Sequence, residues 1–120
     1  MWIVGRKRKI PKESKALKYL YFIVVNFHGQ DVLKFGISNN YIRRFTEYNN
    51  SETVGYIKDI LEVYKSDYPK RLESMLKWYM NQVERPYIKQ EYYDLKYYGF
   101  LVDKAKYFAE LFGIKLTKIW

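Results

Sequence analysis

The chain of 120 residues contains no cysteine and a single histidine. Without cysteine it can form neither disulfide bonds nor thiolate metal sites, and a reducing compartment is permitted. One histidine, His28, excludes a histidine-rich metal cluster, and its position in a polar turn favours a solvated side chain. No apolar run approaches the roughly 20 residues of a membrane span, and the N-terminal segment lacks the features of a secretory signal. We therefore expect a cytoplasmic protein without membrane contact.

Positive charge is in clear excess. Lysine and arginine number 22 against 13 acidic residues, so the net charge is +9 and the pI is near 9.6. Such a balance indicates a polyanionic partner, most often nucleic acid, although a basic surface can also serve solubility alone. Hydrophobic residues form 48% of the chain, which is typical of a folded domain with one core. We expect a basic N-terminal arm over residues 1–18 and one domain over residues 19–120.

The first half of the chain predicts a β-β-α-β order. Two aromatic and β-branched runs, Tyr19 to Phe27 and Val32 to Ser38, flank a polar turn and predict a β-hairpin. Polar residues from Ser38 to Asn40 can cap a helix that runs to about Asn49. A third strand is expected from Tyr56 to Lys65.

The second half predicts two helices. The first is capped by Ser66 or Asp67, carries Pro69 in its first turn and stops before Pro86. An extended stretch from Tyr87 to Tyr93 follows. The last helix is capped by Asp94 and stops at Gly113, after which the tail can add an edge strand. The fold class is therefore α+β, with a small central antiparallel sheet of about three strands flanked by helices.

The second strand carries an unusual charge. Lys34 lies between Leu33 and Phe35 in a hairpin that is expected to be buried, so it either reaches the sheet edge or serves a site. Gly36 shares its strand face and would leave room for a ligand to approach. Tyr21 lies on the neighbouring strand and can present a hydroxyl group.

Three segments together resemble the GIY-YIG endonuclease family in its phage-type branch, where the second signature often reads K-[IF]-G. They are Leu20 to Ile23, Lys34 to Ser38 followed by Tyr41 to Tyr48, and Arg71 to Leu76. The two signatures read LYF and KFG here, and the resemblance covers about residues 19–94. It implies a metal-dependent endonuclease that hydrolyses DNA phosphodiester bonds, with RNA left open as a substrate. It also fits a phage-encoded protein that acts in a bacterial host as a monomer or homodimer.

The resemblance implies a catalytic set from the hairpin and the two helices that follow it. Its members are Tyr21, Lys34, Arg44, Tyr48 and Glu73. Glu73 matches the family's metal-binding glutamate and would hold one Mg²⁺ or Mn²⁺ ion, which suits phosphate oxygens because it is a hard cation. Tyr21 is the favoured water-activating group, Lys34 gives electrostatic support, and Arg44 can pair bidentately with a phosphate.

A second set of positions is implied with less direct roles. Gly36 matches the glycine of the second signature, and Glu91 lies in a Glu-Tyr-Tyr element like one that is common in the phage-type branch. The expected nucleic-acid contacts are basic residues of the arm, hairpin and first helix: Arg6, Lys7, Arg8, Lys34, Arg43 and Arg44.

Each candidate also has an ordinary structural interpretation. Glu73 precedes Lys77 by four residues, which is the spacing of a routine exposed helix ion pair. Two further functions stay open: a catalytically inactive or repurposed relative that still binds nucleic acid, and a protein-interaction module whose charge is incidental.

Overall fold

A computed structural model describes residues 18–50, 55–83 and 92–120 of the chain. The candidates Arg6, Lys7, Arg8 and Glu91 lie outside these ranges. The strands and helices are β1 (Tyr19–Phe27), β2 (Gln30–Ser38), α1 (Tyr41–Asn50), β3 (Gly55–Ser66), α2 (Pro69–Val83), α3 (Tyr98–Phe112) and β4 (Leu116–Lys118), with a 3₁₀ turn at Leu95–Tyr97.

The four strands form one antiparallel sheet in the order β2-β1-β3-β4. The α+β fold class is confirmed, while the sheet has four strands where about three were expected. The additional strand comes from the tail, where Leu116 pairs with Ser66 at the end of β3. In this order β1 and β3 are the central strands, and β2 and β4 are the two edge strands.

The hairpin turn is shorter than the sequence indicates. Only His28 and Gly29 form it, both at positive φ (54° and 81°), as two-residue hairpin turns require. β2 therefore begins at Gln30 rather than at Val32. The side chain of Asn26 closes the turn, because it accepts from the Gly29 N–H and donates to Asp31. His28 is exposed, as expected for a turn residue.

The sheet separates two hydrophobic layers, because side chains of a strand alternate between its faces. One layer packs under α2 and α3 and includes Leu20, Phe22 and Phe35; we call it the two-helix layer. The opposite layer packs under α1 and includes Tyr21 and Ile23; we call it the one-helix layer. Sequence neighbours on β1 and β2 thus belong to different cores.

Hydrogen bonds fix where the helices begin and end. The Asn40 side chain accepts from the Arg43 N–H at 3.0 Å and caps α1. The α2 helix begins at Pro69. The Asp67 carboxylate, a predicted cap of this helix, accepts from the Lys115 N–H at 2.9 Å and so connects the tail to the start of α2. Asp94 caps the 3₁₀ turn rather than α3 itself. Gly113, at φ 68°, ends α3 as predicted.

An isolated bridge covers one point on the outer edge of β2. Tyr93 forms an antiparallel bridge with Leu33 through two backbone hydrogen bonds of 2.8 and 2.9 Å. The earlier part of the predicted extended stretch, residues 87–91, lies outside the described ranges. Among the described residues, no helix combines the length and apolar character needed to cross a membrane.

Candidate active site at the edge of the sheet

A small pocket of about 100 Å³ lies at the edge formed by β2. It is lined by Tyr21, Lys34, Phe35, Gly36, Ile37, Arg44, Glu73 and Lys77. Because β2 is the edge strand, side chains of the one-helix layer and of α2, which covers the opposite face, meet around it. Four of the five predicted catalytic residues, and Gly36, therefore come together from three separate segments.

Tyr21 and Gly36 face each other across β1 and β2. The Tyr21 ring lies against the glycine so closely that a Cβ atom on Gly36 would be 2.6 Å from the phenol oxygen and 2.9 Å from Cζ. The Tyr21 side chain is only 2% exposed and makes an edge-to-face contact with Phe45 at 5.1 Å. The sequence suggested that Gly36 leaves room for a ligand. In the structure, the Tyr21 ring occupies that room.

Lys34 is a buried cation at the pocket. Only 6% of it is exposed, so it does not extend its ammonium group fully into solvent. Its Nζ atom lies 5.4 Å from the ring centroid of Tyr92, which in turn stacks on Phe27 at 5.3 Å. A buried charge costs free energy unless its surroundings compensate, and such charges are common at functional sites.

Arg44 enters the pocket from α1, near the capped start of that helix. It is exposed, so its guanidinium remains accessible to a ligand in solution. The neighbouring Arg43 is not among the lining residues and forms an exposed ion pair with Glu47 at 3.6 Å. Tyr48 also belongs to α1, but its side chain lies outside the described part of the structure.

Among the described residues, Glu73 is the one carboxylate that lines the pocket, and it comes from α2. The Glu73 side chain is 13% exposed, and its Oε2 atom lies 3.6 Å from Nζ of Lys77, whose side chain is 45% exposed. The helix ion pair considered from the sequence is therefore present, but it lines the pocket. Burial, with a contribution from the negative charge of Glu73, raises the pKa of the nearby Tyr93 hydroxyl.

The charges of the pocket favour an anionic ligand. Within the described ranges, three cations (Lys34, Arg44 and Lys77) and one carboxylate (Glu73) line the pocket. Guanidinium and ammonium groups are the usual partners of phosphate. Among the described residues, no group of three or more His, Cys, Asp or Glu could hold a metal ion by itself. Mg²⁺ is often bound by one or two carboxylates together with water and substrate phosphates, so Glu73 fits an ion that is shared with a phosphate ligand.

Three residues near the pocket were not predicted as site residues. Lys77 was interpreted only as the ion-pair partner of Glu73, and Tyr92 and Tyr93 were expected to serve packing rather than chemistry. Their common signal in the sequence is proximity to a candidate: Lys77 follows Glu73 by one helical turn, and the two tyrosines follow Glu91.

A second partly buried carboxylate lies on the two-helix face of the sheet, on the central strand β3 next to β4. Glu62 accepts hydrogen bonds from the Tyr64 and Tyr98 hydroxyls, and Lys118 lies 3.8 Å away. Burial alone would raise the pKa of Glu62, but these hydrogen bonds and the lysine charges lower it overall. Burial and the bond to Glu62 raise the pKa of Tyr98 to about 12. This cluster connects α3 to β3 and β4.

No protein-family model, curated protein or solved structure matches this chain.

Proposed function

We propose that this chain is a metal-dependent endonuclease that hydrolyses phosphodiester bonds of DNA, as its resemblance to the GIY-YIG family implies. One observation carries the proposal: Tyr21, Lys34, Gly36, Arg44 and Glu73 line the same pocket. They come from a hairpin and two helices, so they meet only through the tertiary fold. The net charge of +9 adds support for a polyanionic substrate.

Phosphodiester hydrolysis requires charge neutralisation around the phosphate. Arg44 is exposed at the pocket and can donate two parallel hydrogen bonds to phosphate oxygens. Lys34 is held in a buried position, where a fixed charge acts through a lower dielectric than in water. In this proposal Arg44 captures and orients the phosphate, and Lys34 stabilises the negative charge that develops during the reaction.

The reaction also requires an activated water molecule. The Tyr21 ring packs between Gly36 and Phe45, and the residue lines the pocket. We assign it the role of a proton relay: as the phenol oxygen accepts a proton from the attacking water, its own O–H proton passes to solvent, so Tyr21 is neutral before and after the step. Glu73 would hold a Mg²⁺ or Mn²⁺ ion, which supplies Lewis-acid polarisation of the phosphate when bound.

A nucleic-acid-binding protein without cleavage activity is the second candidate. The observation that favours it is the Glu73–Lys77 ion pair, because a carboxylate that is already neutralised is a weaker metal ligand. The proposed cellular setting is the same for both candidates: the cytoplasm, including that of a bacterial host if the protein is phage-encoded.

The test is plasmid cleavage with a matched pair of variants. Supercoiled plasmid is incubated with the protein and Mg²⁺ or Mn²⁺, with EDTA as the metal-free control. Glu73→Gln preserves the shape of the side chain and should abolish metal-dependent nicking. Glu110→Gln removes an exposed carboxylate on α3, in a different groove, and should leave nicking unchanged. No nicking by the unaltered protein, with salt-sensitive DNA binding retained, would favour the second candidate.

A further inference from the structure

Glu73 and Lys77 form an asymmetric pair within the pocket. The glutamate side chain is 13% exposed and the lysine side chain 45%, so one partner is enclosed while the other reaches solvent. Among the described residues, Lys77 alone forms an ion pair with Glu73. A largely buried carboxylate is costly without a counter-charge, and Lys77 supplies that charge in the metal-free protein.

A divalent cation and Lys77 would compete for the same carboxylate. Both are cations, so a metal ion at Glu73 repels the ammonium group that lies 3.6 Å from Oε2. Lysine has a flexible four-carbon stem, and the half-exposed side chain of Lys77 has solvent-facing space into which it can move. The buried Lys34 has no such freedom, since only 6% of it is exposed.

We propose that Lys77 is an exchangeable cation: it neutralises Glu73 in the metal-free protein, is displaced when a divalent ion binds, and then contacts a phosphate of the bound nucleic acid. This rests on the proposed function, in which Glu73 holds the metal. Lys77 lines the pocket together with Arg44 and Lys34, so the displaced ammonium group stays beside the anion site. Lys77 is thus a site residue that contacts substrate only in the metal-loaded state.

Metal affinity without nucleic acid gives the first readout. Mn²⁺ binding is measured from the electron paramagnetic resonance signal of the free ion, for the unaltered protein, Glu73→Gln, Lys77→Gln and Lys70→Gln. Lys70 is an exposed lysine on the same helix that does not line the pocket. Lys77→Gln should bind Mn²⁺ about three- to tenfold more tightly, because the competing charge is gone. Lys70→Gln should bind it as the unaltered protein does.

DNA gives the second readout. At saturating Mn²⁺, Lys77→Gln should nick plasmid more slowly although it binds the metal more tightly. With Ca²⁺ in place of Mn²⁺, the salt dependence of its DNA affinity should decrease by about one phosphate contact. If the ion pair were merely structural, Lys77→Gln would not combine tighter Mn²⁺ binding with slower nicking. It would also leave the salt dependence of DNA affinity unchanged.

The outcomes separate the inference from the proposed function. If Glu73→Gln loses Mn²⁺ binding while Lys77→Gln binds it as the unaltered protein does, the exchange is refuted and the metal site stands. Tighter Mn²⁺ binding by Lys77→Gln, with unchanged nicking and salt dependence, refutes the phosphate contact. Absence of Mn²⁺ binding and nicking in the unaltered protein refutes both.

Discussion

The contact between Tyr21 and Gly36 gives a prediction that links packing to the site. In Gly36→Ala, the added Cβ would lie 2.6 Å from the Tyr21 hydroxyl oxygen and 2.9 Å from Cζ, so the phenol must move. The ring is 2% exposed and packed against Phe45, which leaves it little space for that movement. The substitution therefore both strains the one-helix layer and displaces the proposed water-activating oxygen.

The expected cost follows from overpacking. An extra methyl group in a well-packed core typically costs about 1 to 3 kcal/mol, and the enclosed ring places Gly36→Ala near 2 kcal/mol. For a chain of 120 residues this corresponds to a decrease in Tm of about 6 to 10 °C. Thermal unfolding followed by circular dichroism measures the decrease, and plasmid nicking should fall with it.

A double-mutant cycle separates this clash from a general loss of sheet stability. Tyr21→Phe removes the oxygen that lies nearest to the added methyl group, so Gly36→Ala should cost less when it is combined with Tyr21→Phe than in the unaltered chain. We expect a coupling free energy of about 0.5 to 1 kcal/mol. An unchanged Tm for Gly36→Ala, or strictly additive costs in the cycle, would refute the close packing of these two residues.

Three further predictions follow from other charges and backbone positions. Lys34→Met should weaken DNA binding, because it removes a positive charge at the pocket but keeps the side-chain length; an unchanged, equally salt-dependent DNA affinity would contradict this. Glu62→Gln should cost about 1 to 2 kcal/mol at neutral pH. The folded-state pKa of Glu62 lies below its ordinary 4.5, so this stabilisation is present above about pH 4.5 and is lost as the pH falls further. In urea titrations, the difference in free energy of unfolding between Glu62→Gln and the unaltered protein should therefore be smaller at pH 3 than at pH 7. Gly113→Ala should lower the free energy of unfolding by about 1 kcal/mol, because Gly113 has φ 68°. Gly99→Ala on α3 should raise it by about 0.5 to 1 kcal/mol, because the added methyl group meets nothing within 4 Å and alanine favours the helix. Equal Tm changes in the two glycine variants would argue against the helix end at Gly113.

The strands were predictable where burial leaves a pattern. Tyr19–Phe27 matched at both ends because a continuous apolar and β-branched run is bounded by a turn. The structure starts β2 at Gln30, two residues before the predicted Val32. The prediction missed Gln30 and Asp31 because they are polar and carry no hydrophobic signal. Next to β4, the Lys115 N–H donates to the Asp67 carboxylate 48 residues away in the chain, and such a tertiary bond leaves no local signal in the sequence.

The site was predictable only in part, for a related reason. The resemblance to the GIY-YIG signatures gave Tyr21, Lys34 and Glu73 as candidates. Strand alternation alone, however, does not predict that a helix from the opposite face of the sheet reaches them. The spacing of Glu73 and Lys77 is the same in any exposed helix, so its role depends on the position of α2 at the sheet edge. Likewise, the Glu62 cluster requires Tyr98, which is 36 residues further along the chain.

The edge position of the pocket has a consequence for the order of events during folding. Tyr21 and Lys34 are oriented by the one-helix layer, whereas Glu73 arrives with α2 from the two-helix layer. A chain in which only one of these layers has docked would contain its candidate groups but no pocket. Under the proposed function, nascent or partly unfolded molecules would therefore be inactive, and turnover would come only from molecules in which both layers are complete.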